Sequence, residues 1–228
     1  MLQGAWTTIW LSVTSMILGL GLGVSAGMMK MYGNRALRWI AEFYIWLFRG
    51  TPVLIQLIII YTGLPQLGIR LSVVESAIIG LALTEGAYLA EVIRSGIMSV
   101  DKGQTDASRA VGTALPPRMW MVILPQATRT IIPPLGNQFN GMLKTTSLAS
   151  VISMEELMRN AQMLAQIEFR VLEAYTVAAV WYLVLVSIWG LIQVRIEAHY
   201  EKPFGPAAAV SPDAKKDIEK ILRNSGQA

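Results

Sequence analysis

Apolar residues run along this chain in long blocks rather than in the short alternations of a sheet. From Met1 to Met29 there is no Asp, Glu, Lys or Arg. About 20 apolar residues suffice to cross a ~30 Å hydrocarbon core as a helix. The first block is too long for the apolar segment of a signal peptide and has no basic stretch before it, so it is expected to stay in the mature protein. Further blocks predict spans at about 40–62, 72–93, 131–153 and 172–194, after a first at 5–29. The pattern therefore predicts an all-α membrane protein with about five transmembrane helices. Residues 1–200 form the transmembrane domain and 201–228 a Pro/Ala-rich, then charged, tail. In that tail "DAKKDIEKILRN" has Ile218 and Leu222 spaced for one face of a short amphipathic helix.

One polar insert, 98–128, interrupts the apolar pattern between the third and fourth spans. "GQTDASRAVG" reads as a short helix with Ala107, Ala110 and Val111 on an apolar side, Asp106 in the first turn and Gly112 at its end. Pro116 and Pro117 predict a turn after it, because proline cannot continue a helix.

Charge sets the orientation. Lys30, Arg35, Arg38, Arg94, Lys102, Arg109, Arg118, Arg129, Arg195 and Lys202 fall on one side of a five-span chain, and only Arg70, Arg159 and Arg170 on the other. Cytoplasmic loops carry the excess of Lys and Arg, so the insert and the C-terminus are expected to be cytoplasmic and the N-terminus outside. The outer loop at 154–171 also holds Glu155, Glu156 and Glu168.

Composition fits this picture: 54% of residues are hydrophobic and 15% charged, against about 25% charged in soluble domains. Basic cytoplasmic loops account for the net charge of +4 without a nucleic-acid partner. No cysteine and one histidine argue against a thiolate or transition-metal centre and leave no nucleophile–base pair for a membrane enzyme.

Several polar residues lie where burial is expensive, since an ionisable group at membrane depth costs about 2.5–3.5 kcal/mol on insertion scales and usually faces a cavity or a partner. Glu85 and Lys144 both fall near mid-membrane. A zwitterion needs an anion for its ammonium, a role for Glu85. It also needs donors for its carboxylate, a role for Lys144 with the hydroxyls of Thr145, Thr146 and Ser147. Asn137, Thr51 and Gln56 add polar groups. Pro133, Pro134, Gly136 and Gly141 are expected to bend or open the fourth span. Alternatively, Glu85 and Lys144 neutralise each other or pair with another subunit. Glu42 and Arg49, seven residues apart, are spaced to couple along one helix. Gly19, Gly23 and Gly27 repeat every fourth residue, which fits close packing inside the chain or a contact between subunits.

The insert resembles the cytoplasmic EAA loop of permease subunits of ATP-binding cassette (ABC) importers. That pattern appears as Asp106-Ala107-Ser108, three residues, Gly112, nine residues, Val122-Ile123 and Leu124-Pro125, with Asp for Glu and Ser for the second Ala. "FRGTPVLIQL" at 48–57, "GAYLAEVIRSGI" at 86–97 and "LKTTSLASVI" at 143–152 are similar to the polar amino acid branch, although Thr145 stands where an Asp is common. The resemblance implies the type I importer permease fold in a bacterial cytoplasmic membrane. It also implies a coupling helix that docks on a separate ATPase through Asp106, Ala107, Ser108, Arg109 and Gly112. The implied partners are a second permease, two ATPases and an extracytoplasmic binding protein. No cofactor is expected in this chain, ATP and magnesium being held by the ATPase. No phosphate-binding loop is present: Gly136 and Gly141 have the glycine spacing, but Met142 follows. The competing reading is an ion-driven secondary transporter with Glu85 as proton carrier.

Overall fold

A computed structural model describes residues 1–200; the expected tail and its amphipathic helix lie outside the described residues. Among the described residues the structure is helical and contains no strand. Helix α1 (Leu2–Tyr32) packs most extensively on α4 (Val73–Met98). The glycine repeat explains how. A Cβ on Gly23 would lie 2.7 Å from Leu89 Cβ and 3.1 Å from the Ala90 nitrogen, and one on Gly27 would lie 3.2 Å from the Ala90 carbonyl oxygen. The repeat is thus internal packing between two helices of one chain. Gly23→Val overfills this contact and should lower stability by about 1–3 kcal/mol. Thermal unfolding of the detergent-solubilised protein reads that loss.

The second expected span is broken. Helix α2 (Arg35–Gly50) starts at Asn34, whose side chain accepts from the Leu37 nitrogen at 2.9 Å. It stops at Thr51, which is extended at φ −113°, ψ 141° because Pro52 follows. Helix α3 (Val53–Ile58) then leaves at a bend of 104° and passes through a π-helical turn, Ile59–Gly63, to a 3₁₀ turn, Leu64–Leu67. The 40–62 block is therefore two helices meeting at an angle. Helix α4 opens on a capping box, with Ser72 and Glu75 bonding each other's backbone N–H.

After α4 come α5 (Lys102–Ala110), α6 (Leu115–Arg118), a π-helical turn at Met119–Ile123 and α7 (Leu124–Thr145). Where a turn was expected, Pro116 and Pro117 occupy the first turn of α6. There the missing N–H groups would have had no acceptor. Helix α7 likewise runs on through Pro133 and Pro134 instead of opening. From α9 (Val171–Tyr200), Trp189 Nε1 donates to the Gly136 carbonyl at 2.9 Å. A 3₁₀ turn, Thr146–Ile152, and α8 (Leu157–Glu168) precede α9.

Among the described residues, α1, α4 and α9 are each long and apolar enough to cross a membrane, and α2 with α3 pass together as a bent pair. Helix α7 is 22 residues long, but Arg129, Asn137, Gln138, Asn140 and Lys144 make it too polar to be marked by composition. One apolar cluster joins α1, α4 and α7 through Met16, Leu89, Ile93, Phe139 and Leu143. A second joins α1, α3, α4 and the Thr146–Ile152 turn through Leu11, Leu57, Leu81 and Ile152.

Candidate coupling loop and membrane polar cluster

Helix α5 is closed at both ends by its own residues. Asp101 caps the start, accepting from the Gly103 nitrogen at 2.7 Å. The helix therefore begins before the expected point, and Asp106 lies past its first turn. At the other end Gly112 N donates to Arg109 O at 2.9 Å and Thr113 N to Ser108 O at 3.0 Å. This paired closure needs a left-handed residue, and Gly112 has φ +76°. A Cβ there would meet nothing within 4 Å, so backbone conformation rather than space demands glycine in this chain.

Ser108 faces inward and donates to Gln104 O at 2.7 Å. Asp106, Ala107, Arg109, Ala110 and Val111 are exposed. The apolar side of the helix therefore faces away from its own protein. Asp106 and Arg109 form an exposed ion pair at 3.8 Å, a geometry that typically contributes less than ~1 kcal/mol. The loop is held from below: Arg118 is buried and donates to Thr113 O at 2.6 Å, and Ser99 Oγ donates to Thr130 Oγ1 at 3.1 Å across the base.

In the membrane region Glu85 is 7% exposed. It faces Gln138 of α7, and its Oε1 is buried without a hydrogen-bond partner. Gly19 of α1 leaves room for its side chain. Lys144 is exposed and makes no ion pair among the described residues, so the structure does not neutralise Glu85 with it. Thr145, Thr146 and Ser147 donate to the carbonyls of Gly141, Leu143 and Lys144 at 3.0, 3.0 and 2.6 Å. Asn137 Oδ1 accepts from Gln193 at 3.2 Å.

Thr51 and Gln56 sit at the α2–α3 bend. Gln56 Nε2 lies 3.0 Å from the carbonyls of Phe48 and Thr51 and 2.9 Å from Thr51 Oγ1, and its Oε1 accepts from Thr84 at 2.7 Å. Gln56 thus supplies the donor that Pro52 lacks and ties the bend to α4. Glu42 and Arg49 do not pair; the Arg49 guanidinium lies 5.2 Å from the centre of the Tyr88 ring.

Two sites escaped the sequence reading. Glu91 binds Lys30 at 2.6 Å and Arg94 at 2.8 Å, pinning the end of α1 to α4. Glu156 is 0% exposed. It accepts from the Met158 and Arg159 nitrogens at 2.8 Å each and from Tyr182 Oη at 2.9 Å, while the Leu157 nitrogen donates to Thr8 Oγ1 at 3.3 Å. Burial pushes the Glu156 carboxyl above the usual carboxylate range, against the opposing pull of these donors. The available signal was an acidic residue just before the apolar run of α8, in the position of an N-cap.

Residues 19–202 match the family described as the inner membrane component of binding-protein-dependent transport systems. The chain belongs to this family. It is 41% identical over 210 residues to an arginine transport system permease, ArgU, of Corynebacterium glutamicum, covering 86% of this chain and 66% of that one. It is 35% identical over 199 residues to the glutamine permease GlnP of Escherichia coli, covering 86% and 91%. Among solved structures, an amino acid ABC transporter crystallised with histidines superposes with a TM-score of 0.82 at 35% identity, covering 87% of this chain and 92% of that one. The MetNI methionine ABC transporter, at a TM-score of 0.76 and 18% identity over 87% and 95%, shares the fold. The chain is a multi-pass inner-membrane component of a transport system rather than an enzyme, and the family as a whole works with ATPase and substrate-binding partners.

Proposed function

We propose that this chain is the permease subunit of an ATP-driven importer for polar amino acids, with α7 as its fourth span, α9 as its fifth and 1–200 as its membrane domain. The observation that carries the reading is α5: a rigid helix capped at both ends, with its apolar side and Asp106, Ala107 and Arg109 turned outward. It docks on a separate ATPase, which holds ATP and magnesium. Force on it passes through the buried Arg118 and the Ser99–Thr130 contact to α4 and α7. The loop and the C-terminus face the cytoplasm. Two permeases, two ATPases and an extracytoplasmic binding protein make up the assembly. The arginine, glutamine and histidine named for the relatives place the substrate among amino acids.

The test is a cysteine at Ala107, in an otherwise cysteine-free assembly with its cognate ATPase. A crosslink to the ATPase is expected, together with uptake that requires ATP. Uptake by this chain alone under a proton gradient would replace the reading with a secondary transporter.

Glu85 is the proposed anchor for the substrate's ammonium, because its Oε1 has no donor within the chain. Thr51, Gln56, Asn137, Lys144, Thr145, Thr146 and Ser147 are the proposed polar lining; the Thr145, Thr146 and Ser147 hydroxyls already donate to backbone carbonyls and only accept here, so Lys144 is left as the donor for the substrate's carboxylate. A hydrogen bond to a charged group is worth about 1.5–3 kcal/mol. Glu85→Gln should therefore reduce uptake about 10- to 150-fold while ATPase activity without substrate is kept. Initial-rate uptake in proteoliposomes reads the difference.

A further inference from the structure

Helix α2 carries three stripes that the transport reading leaves unused. At 100° per residue, Ala41, Tyr44, Ile45 and Phe48 share one face, which meets the protein: Ala41 and Ile45 pack with Ala26 and Ala90, and Tyr44 Oη donates to Leu83 O at 2.7 Å. Beside this face Arg35, Arg38, Glu42 and Arg49 line up, all exposed and none in an ion pair among the described residues. Next come Trp39, Phe43 and Trp46, which are 66%, 48% and 68% exposed. Trp39 stacks on Phe43 with centroids 5.7 Å apart, and Trp46 lies tilted against Phe43 at 5.8 Å.

The path of α2 over α4 gives its direction. Ala41 packs with Ala90 and Tyr44 reaches Leu83, yet Arg49, eight residues on from Ala41 and about 12 Å farther along α2, is back at Tyr88. A helix running alongside α4 would have advanced steadily along it. Helix α2 therefore crosses α4. After the 104° bend, α3 runs along α4: Gln56 meets Thr84, and Leu57 packs with Ala77 and Leu81. With α4 spanning the bilayer, α3 follows the normal and α2 lies across it.

We propose that α2 is an in-plane helix of the inner leaflet that binds anionic phospholipid, and is not half of a transmembrane span. Tryptophan favours the headgroup level. A basic stripe next to an aromatic one is the pattern of a helix held at the interface by anionic headgroups. Arg35, Arg38 and Arg49 against Glu42 leave that stripe net positive. The leaflet assignment rests on the orientation proposed above; the in-plane geometry does not.

The chain has no cysteine, so Trp39→Cys, Phe43→Cys and Trp46→Cys can each carry one nitroxide in the reconstituted assembly, with cysteine-free partners and retained uptake as the check on folding. Depth is read from relative access to oxygen and to a nickel chelate. The expected result is one depth for all three labels, within about 3 Å, with ready access to oxygen. A steady drift of about 10 Å between positions 39 and 46 would make α2 a span and overturn the proposal. Exclusion of both probes would also overturn it, by showing that a second permease covers the stripe.

A second arm compares vesicles of phosphatidylcholine with and without phosphatidylglycerol. The anionic lipid is expected to raise the melting temperature of the native assembly but not of Arg35→Gln/Arg38→Gln. An equal rise in both would remove the arginines from lipid binding. An impermeant thiol reagent on Arg38→Cys is expected to react only from the ATPase side. Reaction from the other side, with a flat depth profile, would overturn the orientation and the leaflet while the in-plane geometry stands.

Discussion

Replacing Glu156 with alanine is expected to destabilise the protein by about 3 kcal/mol or more. The change strands the Met158 and Arg159 N–H groups and the Tyr182 hydroxyl, which now donate to this carboxylate, and each orphaned buried donor costs ~1–3 kcal/mol. It also removes the tie between α1, α8 and α9, since Thr8 takes part in the same network. Protease cleavage should concentrate in 153–170, and the apparent melting temperature should fall. Glu156→Gln should fall between native and alanine. It keeps the volume and one carbonyl acceptor, but turns an amide donor toward a group that is itself a donor. An unchanged melting temperature for Glu156→Ala would mean that the caged carboxylate contributes nothing to holding these helices together.

Glu156 also shows what a linear pattern hides. In sequence it is one of three acids between α7 and α9, and its one local mark, the N-cap position before α8, says nothing of its burial. Its burial comes from Thr8 and Tyr182, residues about 150 positions before and 26 after it. Features set by near neighbours were legible. The length of α1, the cap at Gly112 and the glycine repeat all follow from local chemistry, and the repeat's two readings were settled by finding Leu89 and Ala90 against it. The break in the second span was missed: Pro52 is the local signal for it, but the 104° angle depends on Gln56 reaching back to Phe48 and across to Thr84.

Proline misled at Pro116 and Pro117. Its cost depends on whether an acceptor loses its N–H, and that depends on the position within the helix. At Pro116 and Pro117 no acceptor was waiting. At Pro133 and Pro134 the helix continues, with Trp189 and Gln193 of α9 packed against the same turn. Charge pairs were legible only as spacing: Glu42 and Arg49 share a face yet do not meet, whereas Glu91 meets Lys30 from another helix.

Gly112 offers a graded test of how the loop is coupled, because the chain itself leaves open space around it. Gly112→Pro should abolish the helix end: proline is fixed near φ −65°, far from the required +76°, and it removes the N–H that donates to Arg109 O. At about 3 kcal/mol or more, the expected loss of ATP-driven uptake is ~100-fold. Gly112→Ala keeps the N–H and meets only the left-handed penalty, about 1–2 kcal/mol, so roughly a tenfold loss is expected. Gly112→Asn tolerates that backbone best after glycine. If glycine serves only to end the helix, the asparagine variant transports at close to the native rate. If the ATPase also approaches the bare backbone, the asparagine side chain collides with it. Uptake and substrate-stimulated ATP hydrolysis then fall together while the melting temperature of the permease stays put. Uptake and coupled ATPase unchanged by all three substitutions would remove α5 from the coupling path altogether.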